Sequence, residues 1–266
     1  MKNLPRWVYV PVLFALALLY VPLLAVAVQS VNASRFGTSW QGFTWNWYGR
    51  LFAHEAIGAA AKNTLLVACI STAVSTVLGT CLALGLDRIP WPGRVRRALD
   101  ILLHLPVITP DILFAAALVV AFGVLRQASS LFDPGLVPMI LGHIAFQVAF
   151  VALVVRARLA TLEPELFEAA RDLYAGKRYL FWHVTLPLLL PAVAGGALLA
   201  FTLSLDDFII SFFTTGSGSD TLPIYIYGSL RRGLSPEIHA LSTLMVLATV
   251  ALVLGVERLN RTREVT

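Results

Sequence analysis

Charge is what this sequence has least of. Asp, Glu, Lys and Arg make up 13% of its 266 residues and hydrophobic residues 58%, against about 25% and about 45–50% in ordinary soluble domains. A chain so poor in charge cannot hide its apolar side chains in one globular core, so a bilayer is its expected solvent. Cysteine is also scarce. Cys69 and Cys81 are the only two, both lie inside an apolar run, and no His or Cys sits at ligand spacing, so neither a disulfide framework nor a metal site is expected. The nucleotide-binding run G-x-x-x-x-G-K-[ST] is missing, and "AGKR" at 175–178 lacks both the upstream glycine and the hydroxyl residue. HExxH and GxSxG are missing too, which removes the usual intramembrane hydrolase signatures. The net charge of +5 does not point to nucleic acid, because the arginines fall between apolar runs rather than on one patch.

Long apolar runs are what remain. Six stretches, near 7–29, 59–86, 101–125, 138–155, 189–213 and 239–256, have the length and composition of membrane-spanning helices. The segments between them alternate in basic content. Lys and Arg number 14 in the two termini, 87–100 and 156–188, and 5 in 30–58, 126–137 and 214–238; Lys62 lies within the second run. The positive-inside tendency puts both termini and the two basic loops in the cytoplasm. The first run follows Lys2 and Arg6 and contains Ala25-Val26-Ala27, which looks like a cleavage site. At about 22 residues it is longer than a signal-peptide core, so a retained helix is expected.

One amphipathic block interrupts this pattern. In "LEPELFEAARDLYAGKR", residues 162–178, Pro164 suits a first helical turn and Glu163 and Glu165 favour the positive helix end. Lys177 and Arg178 sit where a helix C-terminus prefers cations, beside an expected stop at Gly176. Leu166, Phe167, Ala170, Leu173 and Tyr174 form one apolar stripe. The helix is too short to span, and its acidic start fits poorly with an anionic lipid surface. The stripe either packs on this chain's own helices or meets a partner.

Isolated polar residues inside the runs are the other candidates. Carboxylates at membrane depth are costly and usually face a cavity or a cation. Asp206 and Asp207 lie 15 and 16 residues beyond Pro191, roughly 22 Å along the fifth run and in its outer half. They point about 100° apart, so only one faces a pathway squarely. The competing reading pairs them structurally with Arg231, Arg232 or a partner subunit. His104 and Asp111, seven residues apart, are expected on one helical face, where a proton relay or a cation contact would fit, with His104 interfacial near the cytoplasmic end. His143 shares a face with Gln147 and is expected to make an interhelical hydrogen bond. Lys62-Asn63-Thr64 reads as a snorkelling lysine beside helix-start polar groups. Trp40, Trp45, Trp47 and Tyr48 suit an interfacial belt or a docking surface.

The stretch 168–187 resembles the EAA loop of permease subunits in binding-protein-dependent ATP-binding-cassette importers. Glu168-Ala169-Ala170, three residues, Tyr174 in the usual glycine place, nine residues, Val184, Thr185 and Leu186-Pro187 follow that pattern. With Gly176 two residues on, the turn is expected to be displaced or the helix half a turn longer. The resemblance runs from about 59 to 256. Segment 198–244, with Ser-Leu-Asp-Asp-Phe and "RGLSPEIHALST", is similar to the second permease subunit of the spermidine/putrescine branch.

The resemblance implies an all-α membrane protein with the six-helix, MetI-like permease fold of type I importers. It implies a first helix and outer loop over 1–58, a permease core over 59–256 with a coupling helix near 163–176, and a tail over 257–266. It further implies multi-pass residence in a bacterial inner membrane. Partners would be a homologous second permease, two copies of an ATPase and an extracytoplasmic solute-binding protein. ATP and Mg would be used by that ATPase, with no cofactor and no catalysis on this chain. Leu166, Phe167, Glu168, Ala169, Ala170, Asp172, Leu173, Tyr174 and Gly176 would contact the ATPase, with Leu166, Phe167 and Leu173 filling its groove. Asp111, Asp206, Asp207, Tyr225 and Tyr227 would line the path of a small organic cation, the aromatics through cation–π contacts. A self-sufficient secondary cation transporter or channel is the alternative, but it needs no docking helix and often shows inverted repeats, which this chain lacks. An importer of another solute also remains open.

Overall fold

The computed structural model describes residues 9–34, 39–232 and 236–264. Lys2, Arg6 and the 233–235 part of "RGLSPEI" lie outside these residues, as does the side chain of Arg232. The described chain is helical, with one isolated bridge between Asn32 and Phe43 outside the helices. The helices are α1 (Tyr9–Gln29), α2 (Asn46–Ala53), α3 (Glu55–Arg88), α4 (Gly93–Ile108), α5 (Asp111–Leu125), α6 (Leu136–Leu159), α7 (Pro164–Asp172), α8 (Lys177–Leu180), α9 (Leu186–Asp206), α10 (Ile209–Thr214), α11 (Leu222–Arg232) and α12 (Pro236–Glu264). A single π-helical turn, Phe181–Thr185, joins α8 to α9 without interrupting the helical path.

Four helical stretches are long and apolar enough to cross a membrane: α1, α3, α6 and the continuous run Lys177–Asp206. The expected third run is not a straight helix. α4 and α5 meet at a bend of 111°, and taken together they make a fifth span that is broken. Pro110 is the cause. Its ring disfavours helical backbone at the preceding residue, and Thr109 is extended at φ −71°, ψ 131°. His104 and Asp111 therefore do not share one helical face as the seven-residue spacing suggested. In α12 the apolar stretch Pro236–Ala251 adds a shorter helix, so the described residues show four span-length helices, or five with the bent pair, besides it.

The chain divides into two compact units, 59–224 and a second made of 1–58 with 225–266. In the first unit α6 is central. It packs along α9, and Val151, Ala152 and Val155 join Ala83, Leu86, Leu103, Leu159, Leu189 and Ala200 in one buried cluster. Close approach depends on glycine: a Cβ at Gly79 of α3 would lie 2.7 Å from Val151 Cβ and 2.9 Å from the Val148 carbonyl oxygen. Gly196 of α9 meets the same Val151 from another side. Small residues that let helix backbones touch are what membrane bundles use where burial from water gives no drive. In the second unit α1 and α2 both pack on α12, and α1 has no buried residue, as befits an apolar helix whose solvent is lipid.

Candidate functional site

α7 begins at Pro164 after an extended Glu163 and ends at Asp172, four residues before the expected stop. The ending is a Schellman motif: Ala175 N–H donates to the Ala170 carbonyl at 3.1 Å, and Tyr174 N–H to the Arg171 carbonyl at 2.8 Å. Such a motif needs a left-handed residue where Tyr174 stands, and Tyr174 has φ 61°, the one positive φ at a non-glycine among the described residues. The turn thus stays at the family's glycine position, neither displaced to Gly176 nor lengthened by half a turn. Lys177 and Arg178 consequently open the next helix instead of closing α7.

The apolar stripe divides. Phe167 is only 6% exposed, and the Arg88 guanidinium at the end of α3 lies 4.3 Å above its ring, so it packs on its own chain and is not free to fill a groove elsewhere. Leu173 and Tyr174 are 82% and 97% exposed, and Leu166 is exposed beside them. Glu168, Ala169, Asp172 and Gly176 are also exposed, with Ala170 partly covered. The result is a short helix held by one aromatic, with an apolar tip facing outward.

The second candidate region is a buried polar cluster where α9 breaks. α9 ends at Asp206, Asp207 is extended, and α10 starts two residues later. Asp207 causes the break as much as it suffers it: its Oδ1 and Oδ2 accept the backbone N–H groups of Ile210 at 3.3 Å and Ser211 at 2.8 Å, capping α10. His143 of α6, whose side chain is 2% exposed, brings Nε2 to 3.2 Å from Asp207 Oδ2. The same Nε2 is 3.1 Å from Ser211 Oγ, and Nδ1 is 2.7 Å from Ser204 Oγ. Ser71 of α3 reaches Ser204 Oγ at 3.3 Å, while Gln147 Oε1 accepts from Ser75 at 3.1 Å. His143 thus makes the expected interhelical bonds, and the partner of Asp207 is a histidine from α6 rather than an arginine. Asp206 differs: it is exposed and forms no ion pair among the described residues.

The remaining candidates are dispersed. Asp111 is exposed at the first turn of α5, and shares no hydrogen bond or ion pair with Asp206 or Asp207 among the described residues. His104 turns back to the Asp100 carbonyl at 2.7 Å. Asp100 itself pairs with Arg156 of α6 at 2.8 Å, a contact between 87–100 and 156–188 that no sequence spacing announces. Asn63 donates to the carbonyls of Gly218 and Asp220, and Thr64 Oγ1 accepts Leu222 N–H, so the start of the core ties down the loop after α10. In the other unit Tyr225 sits edge-on to His54 with centroids 6.0 Å apart, and Arg231 lies 5.0 Å over Tyr227. Trp47 is buried and donates to the Asn32 carbonyl at 2.7 Å, whereas Trp40 and Trp45 are exposed.

Comparison with known proteins supplies what geometry does not. Residues 75–262 match the family described as binding-protein-dependent transport system inner membrane component. The putrescine transport system permease protein PotI of Escherichia coli K12 is 37% identical over 92% of this chain and 89% of its own length. The spermidine/putrescine transport system permease protein PotC of Haemophilus influenzae is 35% identical over 92% and 93%. Among solved structures, a bacterial ABC transporter that imports the acidic polysaccharide alginate superposes with a TM-score of 0.74, covering 98% of this chain and 96% of that one at 19% identity. The same kind of transporter bound to its pentasaccharide-loaded periplasmic protein gives 0.71 at 20% identity. These two likenesses establish the permease fold.

Proposed function

Because the chain belongs to the family of binding-protein-dependent transport system inner membrane components, we propose that it is one permease half of an ATP-driven importer of a small organic cation, putrescine or spermidine. The observation that carries this reading is 35–37% identity, over nine-tenths of the chain, to permeases named for those solutes. The chain does no covalent chemistry. It forms half of a gated path with a homologous second permease, receives solute from an extracytoplasmic binding protein, and transmits force from two copies of a separate ATPase that uses ATP and Mg. Both termini, 87–100 and 156–188 face the cytoplasm, as the distribution of Lys and Arg favours.

In this reading α7 is the element the ATPase grasps. Glu168, Ala169, Ala170 and Asp172 orient it closely, and Leu166, Leu173 and Tyr174 supply the apolar contact, while Phe167 and Arg88 pass the movement to α3. The exposure of the tip and the burial of Phe167 support this division. Asp206 faces the path and offsets the solute's charge. Asp207, engaged by His143 and α10, holds the break from which Asp206 projects. Asp111, Tyr225 and Tyr227 are the further pathway candidates.

The test is uptake into vesicles carrying the reconstituted complex, with labelled putrescine and a panel of competing solutes. ATP-dependent accumulation competed by polyamines supports the reading. Flux without ATP, or uptake indifferent to polyamines, refutes it. Ala169→Asp is expected to abolish both accumulation and ATPase retention on the purified permease.

A further inference from the structure

At the foot of α7 lies a groove of about 710 Å³, walled by Leu84, Leu180 and Phe181 and carrying three cations, Arg88, Arg171 and Lys177. Its volume falls in the range of about 300–1,000 Å³ usual for small-ligand sites. Arg88 ends the span-length α3, and Lys177 begins the span-length run to Asp206. The groove therefore lies between the end of one span-length helix and the start of another, and we place it on the headgroup side of the apolar runs.

The local electrostatics are unbalanced. Arg88 has Asp87 at 3.4 Å, but Arg171 and Lys177 form no ion pair among the described residues. Lys177 and Arg178 also stand in the first turn of a 30-residue helical run, where the helix dipole disfavours positive charge. Glu168 and Asp172 on α7 are exposed and come within 4 Å of neither cation. An uncompensated basic groove with an apolar wall fits a ligand that is itself anionic at one end and apolar at the other.

We propose that this groove binds the phosphate headgroup of an anionic phospholipid, with Arg171, Lys177 and Arg88 holding the phosphate and Leu84, Leu180 and Phe181 receiving the start of the acyl chains. Basic pockets between spans are a recurring form of lipid recognition. Bound there, the lipid braces the α7–α8 turn against the end of α3. The inference does not depend on the transported solute or on ATP.

The test titrates the purified transporter in detergent, with the full chain and its copurifying subunits, against phosphatidylglycerol and separately phosphatidylcholine, counting bound lipid by native mass spectrometry. Each cation near an anionic headgroup changes affinity about fivefold, so phosphatidylglycerol is expected to bind at least about tenfold more tightly. Arg171→Gln with Lys177→Gln should bring the two lipids within about twofold, while Arg171→Lys and Arg94→Gln, outside the groove lining, keep the preference. If the double variant does not assemble, Lys177→Gln alone should lower the preference about fivefold. Equal binding of both lipids, an unchanged preference in the variants, or an equal loss in Arg94→Gln overturns the proposal. So does displacement of phosphatidylglycerol by millimolar inorganic phosphate, which would mark a site for free anions.

Discussion

Replacing His143 by alanine tests whether the break between α9 and α10 is held by a buried charge pair or by ordinary polar contacts. Asp207 is met by two backbone N–H groups of α10 and by His143 Nε2 at 3.2 Å. A neutral hydrogen bond inside a membrane protein is worth about 0.6 kcal/mol on average and rarely above about 1.7. Removing one member of a buried charge pair costs about 3–5 kcal/mol, because the other is stranded. With His143 buried and Asp207 only 14% exposed, a charge pair predicts that His143→Ala destabilises the chain by about 3 kcal/mol or more, and a neutral hydrogen bond predicts less than about 1.7 kcal/mol. Asp207→Ala should cost more, since it also leaves two α10 N–H groups unpaired at about 1–3 kcal/mol each. Once either partner is gone, losing the other costs less, and the double variant should fall short of the sum by about 2 kcal/mol. Equilibrium unfolding in mixed micelles with increasing denaturing detergent measures all three variants. Additivity within about 0.5 kcal/mol would show that the two residues do not work as a pair and would sink the assignment of Asp207 as the holder of the break.

Three further outcomes follow from the geometry. Asp206→Asn should raise the half-saturating putrescine concentration about tenfold while shifting unfolding by less than about 0.5 kcal/mol, as an exposed surface change does; unchanged uptake at subsaturating solute would remove Asp206 from the pathway. Gly79→Ala places a methyl against Val151 and the Val148 carbonyl and should cost about 1–3 kcal/mol, partly recovered by Val151→Ala, with thermal unfolding as the measurement. Tyr174→Gly removes a left-handed tyrosine that makes almost no packing contact and should stabilise the turn by about 1 kcal/mol; a lower melting temperature would contradict the strain argument.

The spans were legible because the bilayer imposes a length. α1, α3 and α6 begin and end within four residues of the apolar runs, since nothing but composition decides where lipid stops. The breaks were harder to read. Prolines at 106, 110, 187 and 191 look alike in sequence, yet α4, α9 and the run before it accommodate three of them and only Pro110 turns the chain. Pro110 follows a threonine whose extended backbone ends α4, and the carbonyls freed there lie at a helix end where neighbours need not replace them. The α9 break was illegible for a different reason. Asp207 caps α10 with His143, 64 positions earlier in the chain, opposite it, and no local rule pairs residues at that separation.

What sequence reasoning got wrong at the α7–α8 turn is more informative than what it got right elsewhere. Propensity placed the helix end at Gly176, kept tyrosine out of a left-handed position, and assigned Lys177 and Arg178 to a C-terminus. The turn violates all three expectations within five residues. Each violation costs about 0.5–2 kcal/mol, and the compensation is limited to the two Schellman hydrogen bonds, since Leu173 and Tyr174 bury almost nothing and the two cations form no ion pair among the described residues. Elements in which local preference and structure disagree without internal repayment are where function is expected to supply the difference. Here two outside contacts would do so from opposite sides: a protein surface covering the apolar tip, and an anion in the basic groove behind it. In the proposed reading these two partners supply what the turn's own contacts do not, as suits a segment that would pass movement from one subunit to another.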